Sequence, residues 1–436
     1  MSFSTRLKQF FTTKQLRNDL IFVLLMLVVF RFLAHIPVPG IDTTALRASL
    51  SGNQVLGLLN LLTGGGLENF SIVMLGIGPY ITSSIIFQLL GMIIPYFEDL
   101  TKEGERGQRI INKWTRILTV PLAALQGYST IIFLSRAGAG GSGAASRFLD
   151  QFTPMTWVTT IIIVCAGTML LMWIGEIISE RSLGNGISLL IFAGIVAGLP
   201  QAAFQIGLDI SNNPSSLTNY LLLLVIAVIV VAGVVFITEG QRNIPIAHAR
   251  QVRGGRLVSG AQNYLPLRVN MAGVIPIIFA ISVVLFPPFI AQFFVRATSA
   301  WVAQAASFII NIFQQGGLAY GVIYFVLVVA FTYFYTAIIF QPRQIAENLQ
   351  KQGSFIPGIR PGKETEVYLQ SVVNRILLAG SVFLGIIAIL PLLVQSVTGF
   401  NLVIGGTSLL IVVSVIIESM KKVEAQMAYH SYSYDA

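Results

Sequence analysis

Residues 220–238 read YLLLLVIAVIVVAGVVFIT, a run of 19 residues without one charged side chain. As an α-helix, such a run would rise about 28 Å, close to the ~30 Å hydrocarbon thickness of a bilayer. Backbone polar groups in lipid must find their hydrogen bonds within the segment, and a helix satisfies this condition. We therefore predict a membrane-spanning helix at these residues.

Nine other apolar runs of comparable length lie on both sides of this one. They cover approximately residues 20–36, 72–96, 117–134, 155–178, 183–206, 269–294, 318–340, 372–394 and 400–417. The composition agrees, because 55% of the 436 residues are hydrophobic and only 10% are charged, whereas soluble domains carry about 25% charged residues. The mean hydropathy is +0.78. We predict ten helical spans, and a soluble enzyme, a disordered tail and a secreted disulfide scaffold are excluded.

The lysines and arginines are divided very unequally between the two sets of loops that ten spans create. Twenty-two of the 27 belong to one set, counting Arg375 just inside the ninth span, and four belong to the opposite set. Arg31 is the one left deeper inside a span. Positively charged loops stay on the cytosolic side of a membrane. Both termini are therefore predicted to be cytosolic, together with three long loops at 97–116, 239–268 and 341–371. The net charge of +9 then indicates loop charge beside a membrane rather than a nucleic-acid surface.

Two further apolar pieces are too short to span a bilayer. Residues 55–67 form a predicted half-length helix, which must lie inside protein or at an interface. It is broken by Gly64, Gly65 and Gly66, which are expected to act as a hinge because glycine bends at little cost. Residues 300–313 space their apolar side chains with helical period, which is typical of an interfacial helix.

Related strings occur in the second and the seventh span. The second carries GIGPYI at 76–81, and the seventh carries GVIPII at 273–278. Each span is the second helix of a five-helix half. Because five is odd, the halves must have opposite topology, as in inverted repeats whose functional path lies between the halves. Glycine and proline also occur in many membrane helices without a special role, so a purely structural origin stays open.

The sequence contains no recognisable catalytic or metal-binding set. Cys165 is the only cysteine, the three histidines are far apart, and every aspartate falls in a predicted loop or at a helix end. Proton- and ion-coupled carriers usually keep an acidic residue at depth in the membrane. The string GIRPGK at 358–363 is one residue too short for a phosphate-binding loop, and Glu364 follows it in place of Ser or Thr. We predict no enzyme activity, no cofactor and no metal, so a partner must drive any work.

Six strings together are specific enough to identify a family. PVPGID follows the first span, GPYI lies in the second, GNGIS opens the fifth, LPLRVNMAG enters the seventh, PGIRPG lies in the last long loop and GGTSLLI lies in the tenth. In this order, the chain resembles the SecY/Sec61-alpha family of protein-conducting channels over nearly its whole length. It departs from the family pattern at the termini and in the glycine-rich stretch 137–145, which leaves the role of the tail open.

The resemblance implies an all-α membrane protein whose ten transmembrane helices form two inverted five-helix halves around a central hourglass pore. The halves would be residues 20–206 and 220–417, joined by an external hinge loop at 207–219, with cytosolic segments at 1–19 and 418–436. A polypeptide pore must admit any side chain yet block ions at rest, which favours an apolar constriction that seals by dewetting. Isoleucine suits such a ring because its branched side chain is stiff and offers no polar group.

Carried over position by position, the family's pore ring falls on six isoleucines, named here the collar. They are Ile77, Ile81, Ile191, Ile195, Ile278 and Ile411. Taken singly, any of them would be expected to face lipid or to fill space in the core, so only the resemblance distinguishes them.

The family's plug, which occupies the external funnel, corresponds to the half-length helix at 55–67. Its expected members are Leu58, Leu59, Leu61, Leu62, Gly64, Gly65, Gly66 and Leu67. A plain re-entrant loop is the alternative for this segment.

The family's lateral gate opens between the second and third spans on one side and the seventh and eighth on the other. Gln88 and Asn270 lie in these spans. An amide hydrogen bond across such an interface is worth about 0.6–2 kcal/mol, enough to bias a closed state without locking it. Each amide could equally be a packing residue.

The long cytosolic loops are the expected docking surface. Arg250, Arg253, Arg256 and Arg360 present cations there that suit ribosomal RNA or an acidic surface on a motor, although positive-inside topology explains Arg250 and Arg253 equally well. Arg360 lies between two Pro-Gly turns and is expected to transmit the push of a motor. The implied partners are SecE and SecG subunits, the SecA motor ATPase, the ribosome, signal peptides, nascent polypeptides and membrane lipid. The implied location is the bacterial cytoplasmic membrane.

The implied function is a passive conduit that passes unfolded polypeptide across the membrane and releases hydrophobic segments sideways into lipid. A secondary transporter with broken helices and an inverted repeat is the alternative. Carrier sites need polar or charged ligands at mid-membrane, whereas isoleucines occupy the collar positions, and this difference favours the conduit.

Overall fold

The computed structural model describes residues 14–39, 60, 63–137, 153–181, 184–214, 216–248, 252–253, 256–257, 263–295, 299–313, 317–398 and 406–434. The helices in these ranges are α1 (Lys14–Leu33), α2 (Gly78–Ile93), α3 (Pro95–Lys102), α4 (Glu105–Ala137), α5 (Pro154–Glu180), α6 (Gly186–Asn212), α7 (Ser216–Glu239), α8 (Ile275–Phe294), α9 (Ala300–Ile312), α10 (Leu318–Ile339), α11 (Pro342–Lys351), α12 (Lys363–Thr398) and α13 (Gly406–Tyr434). The strands are β1 (Gln241–His248), β2 (Val252–Arg253), β3 (Arg256–Leu257), β4 (Asn263–Arg268) and β5 (Ser354–Phe355).

A helix lies in each of the ten predicted spans, namely α1, α2, α4, α5, α6, α7, α8, α10, α12 and α13 in chain order. Among the described residues, α5, α6, α7, α10 and α12 are long and apolar enough to cross a membrane. The bent pair α2 and α3 adds a sixth if it is taken as one span. The described chain is thus a bundle of apolar helices, and the full count of ten spans stays a prediction.

The second and the seventh span begin outside their helices, so the expectation that every span is helical throughout is wrong there. Gly76 and Gly273 have positive φ values of 57° and 64°, a conformation that interrupts a helix and favours glycine. The helices start two residues later, with Pro79 and Pro276 in their first turns, where proline is tolerated. The same turn thus occurs once in each half, as the predicted internal repeat requires.

The second span ends in a sharp bend. The axes of α2 and α3 differ by 100°, and the break falls at Ile94, which has an extended backbone because the residue before a proline is pushed out of the helical region. The short α3 is amphipathic: Leu100 is buried against Phe87, while Lys102 is exposed. Nζ of Lys102 lies 2.7 Å from Oε1 of Glu98. The hydrogen bond within this ion pair raises the pKa of Lys102.

The predicted cytosolic loops at 239–268 and 341–371 fold together into a small sheet. Strand β1 pairs antiparallel with β4 in its own loop and with β5 in the other, where Ala247 lies opposite Phe355. Beneath the sheet, Ile244, Leu267, Ile356 and Leu369 are buried in one cluster. The two loops are therefore one packed unit rather than independent extensions.

The two halves pack against each other along two seams. Helix α8 of the second half contacts α2 and α4 of the first, and α6 of the first half contacts α13 of the second. These seams bring together the four helices on which the collar isoleucines were predicted.

One connection differs from its predicted bounds, and another agrees with them. The external loop expected at 207–219 is largely helical, since α6 continues to Asn212 and α7 begins at Ser216. The predicted short helix at 300–313 is confirmed as α9. It buries Ala306 and exposes Trp301 and Phe308, as a helix lying along an interface would.

Candidate functional site

All six collar isoleucines belong to the large buried apolar cluster that extends through both halves. Their side chains are between 1% and 9% exposed, although they come from four helices that are far apart in the sequence. Ile77 and Ile81 lie at the start of α2, Ile191 and Ile195 on α6, Ile278 on α8 and Ile411 on α13. Ile77, Ile81, Ile191 and Ile278 line one cavity, so the structure brings these four together. That Ile195 and Ile411 complete one ring with them stays a prediction.

The repeated turn explains how two of these side chains reach matching places. Ile81 follows Pro79 by two residues, and Ile278 follows Pro276 by two residues. Gly76 and Gly273 share one backbone conformation. Ile81 and Ile278 therefore occupy the same position in the first turn of their helices. Both are 9% exposed, and they line the same cavity.

This cavity lies directly against the collar and has a volume of about 80 Å3. Its lining includes Ile77, Ile81, Ile191 and Ile278 from the collar together with Thr63 from the plug segment. Its polar lining is neutral and consists of hydroxyl groups and one amide. The polar lining residues are Thr63, Thr82, Gln126, Thr130 and Ser282.

Part of the plug segment is described. Leu58, Leu59, Leu61 and Leu62 lie outside the described residues. Gly64, Gly65, Gly66 and Leu67 are present in a series of turns, and Leu67 is only 1% exposed. The first two glycines have positive φ values of 67° and 82°, so they set the path of the chain. Their predicted role as a hinge stays a prediction.

The two gate amides form hydrogen bonds within their own segments. Nε2 of Gln88 donates to Oγ of Ser84 at 3.0 Å, one turn earlier on α2. Nδ2 of Asn270 donates to the carbonyl of Gly273 at 3.1 Å, which supports the turn that precedes α8. Oδ1 of Asn270 is buried without a hydrogen-bond partner among the described residues. Each amide thus bonds within its own segment, and a bond across the seam between α8 and α2 stays a prediction.

The docking arginines divide into a described and an undescribed group. Arg250 lies outside the described residues. The backbones of Arg253 and Arg256 are register partners on β2 and β3. Arg360 is exposed, and its carbonyl accepts a 2.8 Å hydrogen bond from Oγ1 of Thr365. The positive φ values of Gly358 and Gly362, 84° and 99°, turn the chain on both sides of Arg360 and fix it at the tip of the loop.

Three ion pairs between helix ends were not anticipated from the sequence. Each joins a residue near the predicted cytosolic end of one helix to an oppositely charged residue on another helix. A signal was available, because Glu176 and Glu239 lie within about one turn of the ends of α5 and α7. The pairs are Arg116 with Glu176 at 2.8 Å, Arg181 with Asp19 at 3.2 Å and Lys421 with Glu239 at 2.8 Å.

Proteins of known identity match the chain over nearly its whole length. The protein translocase subunit SecY of Thermus thermophilus is 42% identical over 436 residues, covering 98% of this chain and 97% of the relative. The subunit of the same name from Streptomyces scabiei is 39% identical over 430 residues, covering 97% of both chains.

Solved structures confirm the predicted fold class. A protein-conducting channel superposes with a TM-score of 0.60 at 18% identity, over 93% of this chain and 91% of the other. Sec61 in the canine ribosome-channel complex superposes with a TM-score of 0.57 at 17% identity over the same shares. The family model described as SecY matches residues 71–420. On the strength of that match and of relatives at about 40% identity, the chain belongs to the SecY family.

Proposed function

We propose that this chain is the channel-forming subunit of a protein translocase, which passes unfolded polypeptide across the cytoplasmic membrane and releases apolar segments sideways into lipid. The observation that carries the proposal is that four of the six collar isoleucines line one cavity to which helices of both halves contribute, while all six are buried. Independent support for the proposal comes from relatives at about 40% identity, which are named protein translocase subunit SecY.

The proposed seal works without charge. A ring of branched apolar side chains excludes water and therefore ions, yet it offers no group that would hold a passing polypeptide. Thr63 and Leu67 line the adjoining cavity, and we expect the plug segment to cover it from that side. Opening along the seam between α8 and the pair α2 and α4 would then give a translocating segment direct access to lipid.

The proposed partners follow from the family and from the loop surface. SecE and SecG would accompany this chain, while the SecA motor ATPase or a ribosome would dock on the sheet formed by β1, β4 and β5 and on the loop tip at Arg360. One structural neighbour is described as part of a ribosome-channel complex. Signal peptides and nascent chains would enter from this side, which we propose is cytosolic together with both termini.

The proposed topology predicts opposite locations for two loops. A reporter fused after Gly140 should be external, and one fused after Lys351 should be cytosolic, because the basic loops stay inside. Alkaline phosphatase and a fluorescent protein, which are active on opposite sides, would report the two locations. The same location for both fusions would contradict the ten-span arrangement.

The proposed path predicts that a translocating chain touches the collar. Cys165 is the only native thiol, so a Cys165→Ser chain carrying Ile278→Cys has a single cysteine, and a stalled substrate can carry another. We expect a disulfide between them, since the constriction forces the substrate within a few ångströms of the ring.

The matched control places the cysteine on the outer surface instead. Ile162→Cys lies on α5, where the native side chain is 61% exposed, and it should not crosslink to the same stalled substrate. Absence of crosslinks at every collar position, with translocation intact, would show that polypeptide takes another path.

A further inference from the structure

Arg31 is a basic residue to which the proposed channel assigns no role. It lies near the end of α1, within a predicted span, where ionisable side chains are costly and usually functional. Its Nη1 donates a hydrogen bond to the carbonyl oxygen of Gly64 in the plug segment. The arginine therefore contacts the very segment proposed to close the pore.

The plug segment fits closely around this contact. A Cβ atom on Gly64 would lie 2.9 Å from Cζ of Phe30 and 3.1 Å from Cα of Gly194 on α6. One on Gly65 would lie 3.4 Å from Nη1 of Arg31. The segment thus runs between α1 and α6, and α6 carries two collar isoleucines.

The chain that follows Gly64 is attached to the end of α1 by other bonds. The backbone N–H of Val38 donates to the carbonyl of Phe70 at 2.9 Å, and that of Ile72 donates to the carbonyl of Ile36 at 3.1 Å. These bonds fix the base of the plug. Arg31 binds the carbonyl of Gly64, which lies between this base and Thr63 at the cavity.

The backbone around Arg31 is itself supported. Nδ1 of His35 lies 2.8 Å from the carbonyl oxygen of Arg31. Glu68, which is bonded to Asn60 through both its side chain and its backbone N–H, supplies a negative charge within electrostatic reach of the guanidinium. A displaced plug would leave the guanidinium without its carbonyl acceptor in a membrane environment, which favours return of the plug.

We propose that Arg31 is a positioning residue for the plug. Its guanidinium holds the carbonyl of Gly64 and thereby keeps Thr63 against the collar in the resting channel. The bond breaks when the plug moves and reforms when it returns. This inference rests on the proposed channel function and adds to it a specific residue that sets how firmly the plug is seated.

The test measures plug displacement directly through a single thiol. Thr63 is 5% exposed, so a Thr63→Cys chain in the Cys165→Ser background should react slowly with a membrane-impermeant maleimide added on the external side of resting proteoliposomes. Arg31→Met removes both charge and donors while keeping an unbranched side chain, and it should raise the labelling rate about tenfold, the equivalent of about 1.4 kcal/mol. Arg31→Lys keeps a cation that can donate to the same carbonyl, and it should stay within about threefold of the parent.

A matched control and a second variant make the result specific. Arg181→Met removes a different polar contact with α1, the ion pair with Asp19, and should leave the labelling rate unchanged. Gly64→Ala should raise the rate by itself, because alanine is strained at a φ of 67° and collides with Phe30. Arg31→Met added to Gly64→Ala should have little further effect, since both act on one contact.

Labelling of the Arg31→Met chain within twofold of the parent, or full additivity with Gly64→Ala, would overturn the inference. The assay requires no transport, so its outcome is distinguishable from that of the collar crosslinks. If the collar crosslinks formed but Arg31→Met did not change the labelling rate, the channel proposal would stand and Arg31 would have no role in positioning the plug.

Discussion

Arg360→Glu should abolish motor-driven export while leaving the chain folded and inserted. The side chain is exposed and has no ion-pair partner among the described residues, so its reversal should cost little stability. At the interface with a docked acidic surface, by contrast, juxtaposed like charges cost several kcal/mol. We expect export into reconstituted vesicles to fall by about tenfold or more on that basis.

Lys351→Glu is the matched control for this effect. It makes the same charge reversal in the same loop, at the end of α11 rather than at the glycine-bounded tip. Export by the control should remain near that of the parent chain. Equal losses in both variants would indicate a general electrostatic effect of the loop, and unchanged export by Arg360→Glu would remove its proposed role.

The collar shows which features the sequence alone could predict and which it could not. The apolar runs and their charges indicated the spans and their order, but isoleucine is common in every span and nothing in its spacing marks a pore. Only the family strings in the second, fifth, seventh and tenth spans singled out the six positions, four of which line one cavity in the structure. Their convergence depends on contacts between distant helices, which no local pattern records.

The small sheet was missed although part of its signal is visible. Ile244 and Ile246 alternate with polar or exposed residues, as do Leu265 and Leu267, and alternation of this kind indicates a strand with one buried face. The third strand, β5, has only two residues and lies about a hundred positions away. So short a strand carries no periodicity, and its pairing follows from tertiary packing alone.

The broken starts of two spans were also missed. Hydropathy treats residues 72–77 and 269–274 as continuous with the helices that follow, because they are equally apolar. The glycine and proline positions were noted, but sequence alone does not say which glycine will adopt a positive φ. Non-helical backbone at membrane depth is tolerated where protein buries it, as it does at Val73 and Met74.

Replacing four collar isoleucines together by serine should make the resting channel leak ions. Burying one isoleucine side chain stabilises the folded protein by about 1.5–3 kcal/mol. At the constriction, this hydrophobic free energy keeps the ring closed and free of water. The hydroxyls of serine would let water wet the narrowest point. The four positions are Ile81, Ile191, Ile278 and Ile411, one from each contributing helix.

Two control chains separate loss of the seal from loss of the fold. Isoleucine to valine at the same four positions keeps an apolar ring and should stay tight. Serine at four isoleucines whose side chains are at least half exposed makes the same chemical change away from the collar and should stay tight as well. These outward positions are Ile21, Ile117, Ile162 and Ile229. All variants must first show normal insertion and thermal melting.

The plug should mask part of the leak. Thr63 and Leu67 line the cavity beside the collar, so a channel with serine at the collar can still be covered from that side. Deletion of residues 58–67 together with the serine replacements should therefore give the largest conductance, and either change alone a smaller one.

Conductance of the purified complex in planar bilayers tests the central claim most directly. We predict a tight parent channel, a leak in the serine collar, a larger leak when residues 58–67 are also deleted, and no leak in the valine or outward-facing controls. If the combined collar and plug variant, correctly folded and inserted, remained as tight as the parent, the pore would not run through these isoleucines.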